Sequence, residues 1–209
     1  MWGDKDQHKN ALRIFLPDSK TTLIYLNLDS EVHDFKFWMA HELGHVYAPS
    51  LNDNEAEEFA DAFASALLFP ESLAKKAYKK LIRLLPSKGK QINYIKSLAK
   101  DYTISPITIY KEINKYARYN DLGAINLGSG VYGAATNFNK SYLTLSESLF
   151  HQAKPNAKEY IAVAKKEFST PFFDSLRKYL STQCKNAGFI QTILDIPLLD
   201  AKEICAELC

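Results

Sequence analysis

A histidine–glutamate–histidine motif in an expected helix is the feature that most constrains this chain. His41-Glu42-Leu43-Gly44-His45 reads HExxH, and two histidines four positions apart point to one side of a helix. Both imidazoles can then bind one Zn²⁺ at ~2.1 Å, with Glu42 beside the ion. In a chain with 5 His, chance gives about 0.007 such motifs. The motif predicts a zinc site, and the competing interpretation is two histidines on an ordinary core helix.

A catalytic zinc needs a third protein ligand and one open position. A third histidine six residues beyond His45 is absent, because Leu51 stands there. Glu57 and Asp61 lie four positions apart on the next expected helix. We therefore predict Glu57 as the third ligand and Asp61 as the acceptor that fixes the tautomer of a ligand histidine.

Two neighbouring acids are rival ligands. Glu55 would lie in the first turn of that helix, and Glu58 has Ala62, not an acid, four positions later. In a purely structural alternative, these acids form a solvent-exposed helix face, and the positive end of the helix dipole at the N-terminus favours them. That alternative explains their number but not their place after HExxH.

Hydrophobic periodicity and capping residues predict the elements around the motif. Alternating residues in ALRIFLP and the run TLIYLNL at 22–28 indicate a β-hairpin. Asp29-Ser30 offers a cap for a helix that carries the motif and stops near Pro49. A second amphipathic helix runs from the cap at 52–54 to Pro70, and a third, basic helix occupies 71–85.

The remaining sequence is expected to be mostly helical. The pattern of residues 92–118 is typical of a helix-turn-helix, and the second helix is expected to begin at Ser105-Pro106. Residues 122–137 are Gly-rich and indicate a loop or linker. Beyond them, KPNAKEYIAVAKKEF and TPFFDSLRKYLSTQCKNAG indicate two further helices.

Charge is strongly segregated along the chain. Residues 1–74 hold 5 basic and 13 acidic side chains, residues 75–118 hold 12 and 2, and residues 119–209 hold 9 and 9. The basic block is typical of a DNA-binding regulator with Ser105 to Tyr116 as recognition helix, or of a solvated face that docks an acidic partner. Base-edge readout favours arginine, and only Arg83 and Arg118 in this block are arginines. DNA contact is therefore the weaker alternative.

Cysteine usage and hydropathy predict the compartment. Cys184, Cys205 and Cys209 form no disulfide framework, because they are odd in number and confined to the last 26 residues. Residues 1–10 carry charges where a secretory signal would be apolar, and no apolar run spans a bilayer. We expect a cytoplasmic protein without a membrane segment.

The motif and the segment after it resemble the ImmA/IrrE family of metallo-endopeptidases. HELGH is followed by the string E-x-x-A-D/N-x-F-A-x-x-L-L-x-P, formed here by Glu57, Ala60, Asp61, Phe63, Ala64, Leu67, Leu68 and Pro70. LIYLN before the motif and SLAKDYTISPITIYKEIN after it extend the resemblance over roughly residues 11–118. Residues 119–209 have no counterpart.

The resemblance implies a fold, a cofactor and a reaction. The fold would be α+β with a zincin-like core over 1–74. The sequence patterns add a basic helix-turn-helix-like segment over 75–121, the Gly-rich stretch 122–137 and a helical region over 138–209. Zinc would be bound by His41, His45 and Glu57. The reaction would be proteolysis of a protein partner such as a transcriptional repressor or an antitoxin, in stress response or mobile-element control.

Glu42 would be the catalytic acid and base of that reaction. The edge of the strand over Thr22–Leu28 could bind an extended peptide by strand addition. No spacing argument selects the oxyanion donor, for which His33, Tyr47, Tyr78 and His151 are candidates.

Overall fold

A short antiparallel hairpin and a series of helices make up residues 11–16, 20–150 and 155–209, the part of the chain that the computed structural model describes. The elements in chain order are β1 (Ala11–Leu16), β2 (Thr21–Leu26), α1 (Val32–Tyr47), α2 (Asp53–Leu68), α3 (Glu71–Arg83), α4 (Lys88–Tyr102), α5 (Pro106–Tyr119), α6 (Gly130–Asn139), α7 (Leu145–Leu149), α8 (Ala157–Phe168), α9 (Phe172–Thr182), α10 (Ala187–Leu194) and α11 (Leu198–Leu208). The predicted α+β fold class is confirmed.

The hairpin pairs β1 with β2 along their whole length. Ala11 lies opposite Leu26 and Leu16 opposite Thr21, as the alternating pattern predicts. β2 ends two residues before the predicted Leu28, because a turn begins at Asn27, whose carbonyl accepts a hydrogen bond from Ser30 Oγ at 2.7 Å. Residues 17–19 of the predicted connecting turn lie outside the described residues.

The start of α1 differs from the prediction. Its N-cap is Glu31, without a side-chain hydrogen bond, and not Asp29 or Ser30. Glu31 instead forms an antiparallel bridge with Thr144, and the Leu145 N–H donates to the Ser30 carbonyl at 2.9 Å. This segment is therefore held by a distant part of the chain, which a local capping pattern cannot indicate.

The end of α1 and the start of α2 agree with the sequence signals. α1 ends at Tyr47, two residues before Pro49, which cannot continue a helix hydrogen-bond ladder. Asn52 caps α2, because its side-chain oxygen accepts the Glu55 N–H at 3.1 Å. The short connection brings the two helices back against each other.

α1 and α2 meet in a close contact at Gly44. A Cβ on Gly44 would lie 2.8 Å from the Cα of Ala60 and 3.3 Å from the Cβ of Phe63. Ala60 and Ala64 are fully buried on the facing side of α2. Helices with small residues at their contact approach more closely than helices with large ones. The spacing of these two helices thus depends on Gly44 having no side chain.

The first hydrophobic core lies among α3, α4, α5 and α6. Its largest fully buried side chains are Phe69, Leu81, Ile95, Ile104, Ile109, Ile113 and Val131. The predicted pair of helices is present here. α4 ends at Tyr102 and is followed by Thr103 in the left-handed conformation (φ 53°), and Pro106 is the first residue of α5 after the N-cap Ser105.

The Gly-rich stretch is helical in its second half, so the prediction of a loop or linker over 122–137 is wrong there. α6 contains Gly130 and Gly133, yet Val131, Ala135 and Phe138 are buried on one face at i, i+4 and i+7. Tertiary packing of that face outweighs the poor helix propensity of glycine. The domain boundaries themselves stay a prediction.

The second hydrophobic core joins the C-terminal helices to the hairpin. Leu28, Phe150, Phe173, Leu180, Ile190 and Ile204 are among its buried members. Tyr25 on β2 donates a hydrogen bond from its hydroxyl to the Leu194 carbonyl at 3.0 Å, and the rings of Phe35 and Phe168 lie 6.3 Å apart. The two helices singled out in this region are α8 and α9, whereas α10 and α11 were expected only as part of a helical region over 138–209.

No helix in the described ranges is both long enough and apolar enough to cross a membrane.

We predict that Gly44→Ala destabilises the protein by about 1–3 kcal/mol, because the new methyl group overlaps the backbone of α2 and forces the helices apart. The matched control is Gly133→Ala in α6, where a Cβ meets nothing within 4 Å. That change should stabilise by about 0.5–1 kcal/mol through helix propensity. Urea denaturation of both variants measures the two effects, and equal stability of Gly44→Ala and the parent would refute the close contact.

Candidate metal centre

Two buried histidines on α1 form the base of the site. His41 and His45 are 4% and 9% exposed, and their ring centroids lie 4.8 Å apart because one helical turn separates them. Their Nε2 atoms are 3.1 Å apart. The rings therefore present two nitrogen atoms to the same small volume, as the HExxH spacing predicts.

Glu57 on α2 completes a cluster of three. Its Oε2 lies 3.3 Å from His41 Nε2 and its Oε1 lies 3.3 Å from His45 Nε2. Among the described residues this carboxylate, and not that of Glu55 or Glu58, shares a cluster with the two histidines. The helix contact at Gly44 brings this part of α2 over the histidines.

The spacing of the cluster is close to that of a single metal site. Ligands at ~2.0–2.1 Å from a tetrahedral centre are separated by about 3.3–3.4 Å; the two Nε2 atoms are 3.1 Å apart, and each lies 3.3 Å from a different oxygen of Glu57. Two imidazole nitrogens and one carboxylate oxygen are also a donor set that catalytic zinc uses. His41, His45 and Glu57 could thus hold the metal and leave one position for substrate or water.

Asp61 orients one of the histidines. Its Oδ1 lies 2.9 Å from His41 Nδ1, so a neutral His41 keeps its proton on Nδ1 and directs the Nε2 lone pair at the cluster. Asp61 is one turn beyond Glu57 on α2. Both acids therefore contact His41, and their roles as ligand and supporting acid stay a prediction.

Glu42 lies in the same cleft, a depression of about 620 Å³ that also contains His41, His45 and Glu57. Its side chain is 7% exposed. Burial raises the pKa of the Glu42 carboxyl above its ordinary value, and the nearby His41, His45 and Arg13 act in the opposite direction. A buried carboxyl whose pKa is raised by burial and lowered by nearby cationic groups is suited to accept and return a proton.

Two further cleft residues were not predicted from the sequence. Trp38, one turn before His41, places its ring edge-on to the imidazole at 5.2 Å between centroids. Arg13 on β1 lines the cleft and donates from Nη1 to the His45 carbonyl at 2.9 Å. The signal for Arg13 was a lone cation inside an otherwise apolar strand.

The strand that lines the cleft is β1, not the expected strand over Thr22–Leu28, and the pairing of a peptide with either strand stays a prediction. Ala11 and Arg13 of β1 line the cleft and no residue of β2 does. β2 instead faces the second hydrophobic core through Tyr25 and Leu28. A peptide added by strand pairing would lie along β1.

The candidates for the oxyanion donor do not line the cleft where the structure describes them. His33 is buried against the rings of Phe138 and Tyr142. Tyr47 is exposed, and the hydroxyl of Tyr78 donates to the Gly123 carbonyl at 2.8 Å. The fourth candidate, residue 151, lies outside the described residues.

A comparison with protein-family models matches residues 4–114 to the peptidase family described as the IrrE N-terminal-like domain. The chain belongs to this family. The matched range covers the hairpin, the two site helices and most of the basic helices, so the chain carries a metallopeptidase-like domain. No curated protein and no solved structure matches the chain.

We predict that the purified protein binds close to one Zn²⁺ per chain and that Glu57→Ala lowers zinc affinity far more than Glu58→Ala or Glu55→Ala. Only Glu57 lies within reach of both histidine nitrogens. Metal analysis after dialysis against graded chelator measures the three affinities. Equal losses in the three variants would refute the ligand set.

Proposed function

We propose that this protein is a zinc-dependent endopeptidase that hydrolyses a peptide bond in a protein substrate. The observation that carries the proposal is the convergence of His41, His45 and Glu57 at 3.1–3.3 Å, with Glu42 in the same cleft. Membership of the peptidase family supports it. When bound, zinc supplies a Lewis acid that polarises a carbonyl and acidifies water.

Two side chains near the proposed zinc ion have separate roles in the reaction. Glu42 accepts a proton from water on its carboxylate and returns it to the leaving amine. Asp61 holds the Nδ1 proton of His41 and so fixes the ring orientation. The cleft is open to solvent beside β1, so an extended segment of a substrate can enter without unfolding the enzyme.

We further propose that the substrate is a transcriptional repressor or an antitoxin. The resemblance of HELGH and the following helix to the ImmA/IrrE family supports this class of substrate. The test is to incubate the zinc-loaded protein with the products of neighbouring genes, with and without chelator, and to identify new termini by mass spectrometry. Cleavage that persists in a metal-free protein would contradict the proposal.

We place the reaction in the cytoplasm. Cys184, Cys205 and Cys209 carry free thiols, and Cys205 Sγ and Cys209 Sγ lie 3.6 Å apart without a covalent bond. Such thiols persist in a reducing compartment.

We predict that Glu42→Gln separates binding from chemistry. The amide has the same shape as the carboxyl, so zinc content and thermal unfolding should stay nearly unchanged while hydrolysis falls by ~10²–10⁴ or more. The variant should then retain its protein substrate as a complex that gel filtration detects. Full activity of Glu42→Gln in a cell-based repression or toxin-release assay would contradict the endopeptidase function.

A second candidate function, a DNA-binding regulator or interaction module, is favoured by one observation on α3. The exposed side of this helix presents Lys75, Lys76, Lys79, Lys80 and Arg83, and none of them forms an ion pair within the described residues. Phosphate groups bind such surfaces without sequence preference.

The expected recognition helix α5 is less suited to contact with bases. Its buried positions Ile109 and Ile113 belong to the first core, and Tyr110 and Asn114 donate side-chain hydrogen bonds to the Ile125 carbonyl at 2.9 and 3.2 Å. Two polar side chains that could read base edges are thus engaged within the protein. DNA contact, if it is the function, would use α3.

We predict that changing Lys75, Lys79 and Arg83 to glutamine leaves zinc content and cleavage of short peptides unchanged. If DNA binding is a function of the protein, duplex binding weakens and the slope of log affinity against log salt becomes shallower by about 0.9 for each cation removed. Electrophoretic shift at several salt concentrations measures this. A duplex affinity that the triple change does not alter would remove the second candidate.

A further inference from the structure

Arg13 is a cation beside the metal centre whose role the proposed mechanism does not include. It lies in the middle of β1, opposite Ile24, and its half-buried side chain reaches across to the last turns of α1. There it lines the same cleft as His41, Glu42 and His45. The cleft is otherwise lined by acidic and apolar side chains, including Asp53 and Glu57.

One purely structural role for Arg13 is visible. In a continuing helix the His45 carbonyl would accept a hydrogen bond from the N–H of residue 49, but residue 49 is proline and has none. Arg13 Nη1 supplies the missing donor at 2.9 Å. Arg13 therefore satisfies the carbonyl of a metal-ligand residue at the end of α1.

The hydrogen bond to the His45 carbonyl uses one of the N–H donors of the Arg13 guanidinium. Arginine carries five N–H donors in a planar fork, and none of the ion pairs among the described residues includes Arg13. Half-buried charged groups are normally paired. The bond to His45 also fixes the plane of the fork next to the metal centre, which lowers the entropy cost of binding a further acceptor.

We propose that Arg13 is a specificity-determining residue that binds a carboxylate of the substrate close to the scissile bond. The remaining donors of an anchored guanidinium match the two oxygens of a carboxylate. This inference rests on the proposed endopeptidase function. The carboxylate comes either from an aspartate or glutamate side chain or from the C-terminus of a peptide, and the two sources share this chemistry.

Arg13→Gln removes the charge and the planar fork from this position. The glutamine amide is two bonds shorter than Nη1 and does not replace the bond to the His45 carbonyl, so the cost of losing that bond is measured separately. Lys178→Gln is the matched control, since it removes one positive charge from an exposed position on α9. Thermal unfolding and zinc content of all proteins measure that cost and show whether the end of α1 stays intact.

The experiment uses zinc-loaded protein and pairs of synthetic peptides, called twins here, whose two members differ only in whether one group is a carboxylate or an amide. A mixed peptide library first identifies cleaved sequences by mass spectrometry. For each cleaved sequence, twins with Asp against Asn, Glu against Gln, and a free against an amidated C-terminus are compared by kcat/KM and by fluorescence anisotropy. We expect the parent and Lys178→Gln to prefer one carboxylate twin by about 10-fold or more, and Arg13→Gln to show a ratio near 1.

The outcomes separate this inference from the function on which it rests. Cleavage with a ratio near 1 in the parent protein, or a preference that survives in Arg13→Gln, would overturn the role of Arg13 and leave the endopeptidase function standing. Carboxylate-selective binding of library peptides without cleavage would overturn the endopeptidase function and leave the role of Arg13 standing. Absence of both binding and cleavage would overturn both.

Discussion

The close approach of α1 and α2 at Gly44 is the contact on which the rest of the site depends. A methyl group at this position would lie 2.8 Å from the Ala60 backbone, so the helices could not keep their spacing. The histidines lie on either side of Gly44 in the sequence, and Glu57 and Asp61 lie on either side of Ala60. One small-residue contact therefore sets the distances between the two histidines on α1 and the two acids on α2, which lie between 2.9 and 3.3 Å.

The hairpin connects the cleft to the second hydrophobic core. β1 lines the metal cleft through Ala11 and Arg13, and β2 joins the second hydrophobic core through Tyr25. A hairpin of two strands has little stability by itself. α1 packs against both strands, and the described C-terminal helices add packing on β2 through the second hydrophobic core.

The sequence was sufficient for features that depend on local patterns. HExxH, the Pro49 stop, the Asn52 cap and the Ser105-Pro106 start each need only a few neighbouring residues, and each lies where it was expected. The relation of Glu57 to Asp61 could be predicted because helical periodicity alone puts both on one face. To predict that these two acids lie next to His41, we also had to assume that the second helix packs on the first.

Features that depend on distant parts of the chain could not be predicted in this way. α6 is helical because Val131 and Phe138 pack in a core built by other helices, whereas its composition indicates a loop. Glu31 pairs with Thr144, more than a hundred residues later. Arg13 meets His45 across 32 positions, and neither residue's neighbours indicate that contact.

The two halves of the candidate ligand set differ in exposure. His41 and His45 are buried on α1, while the side chains of Glu57 and Asp61 are 66% exposed on α2. Buried ligands stay in place because packing restricts their rotamers, but an exposed carboxylate depends on its partners for orientation. A metal ion would therefore order the α2 side of the cleft more than the α1 side. If the proposed function holds, a peptide that enters the cleft passes between the first turn of α2 and β1, both of which line it, and meets Arg13 there.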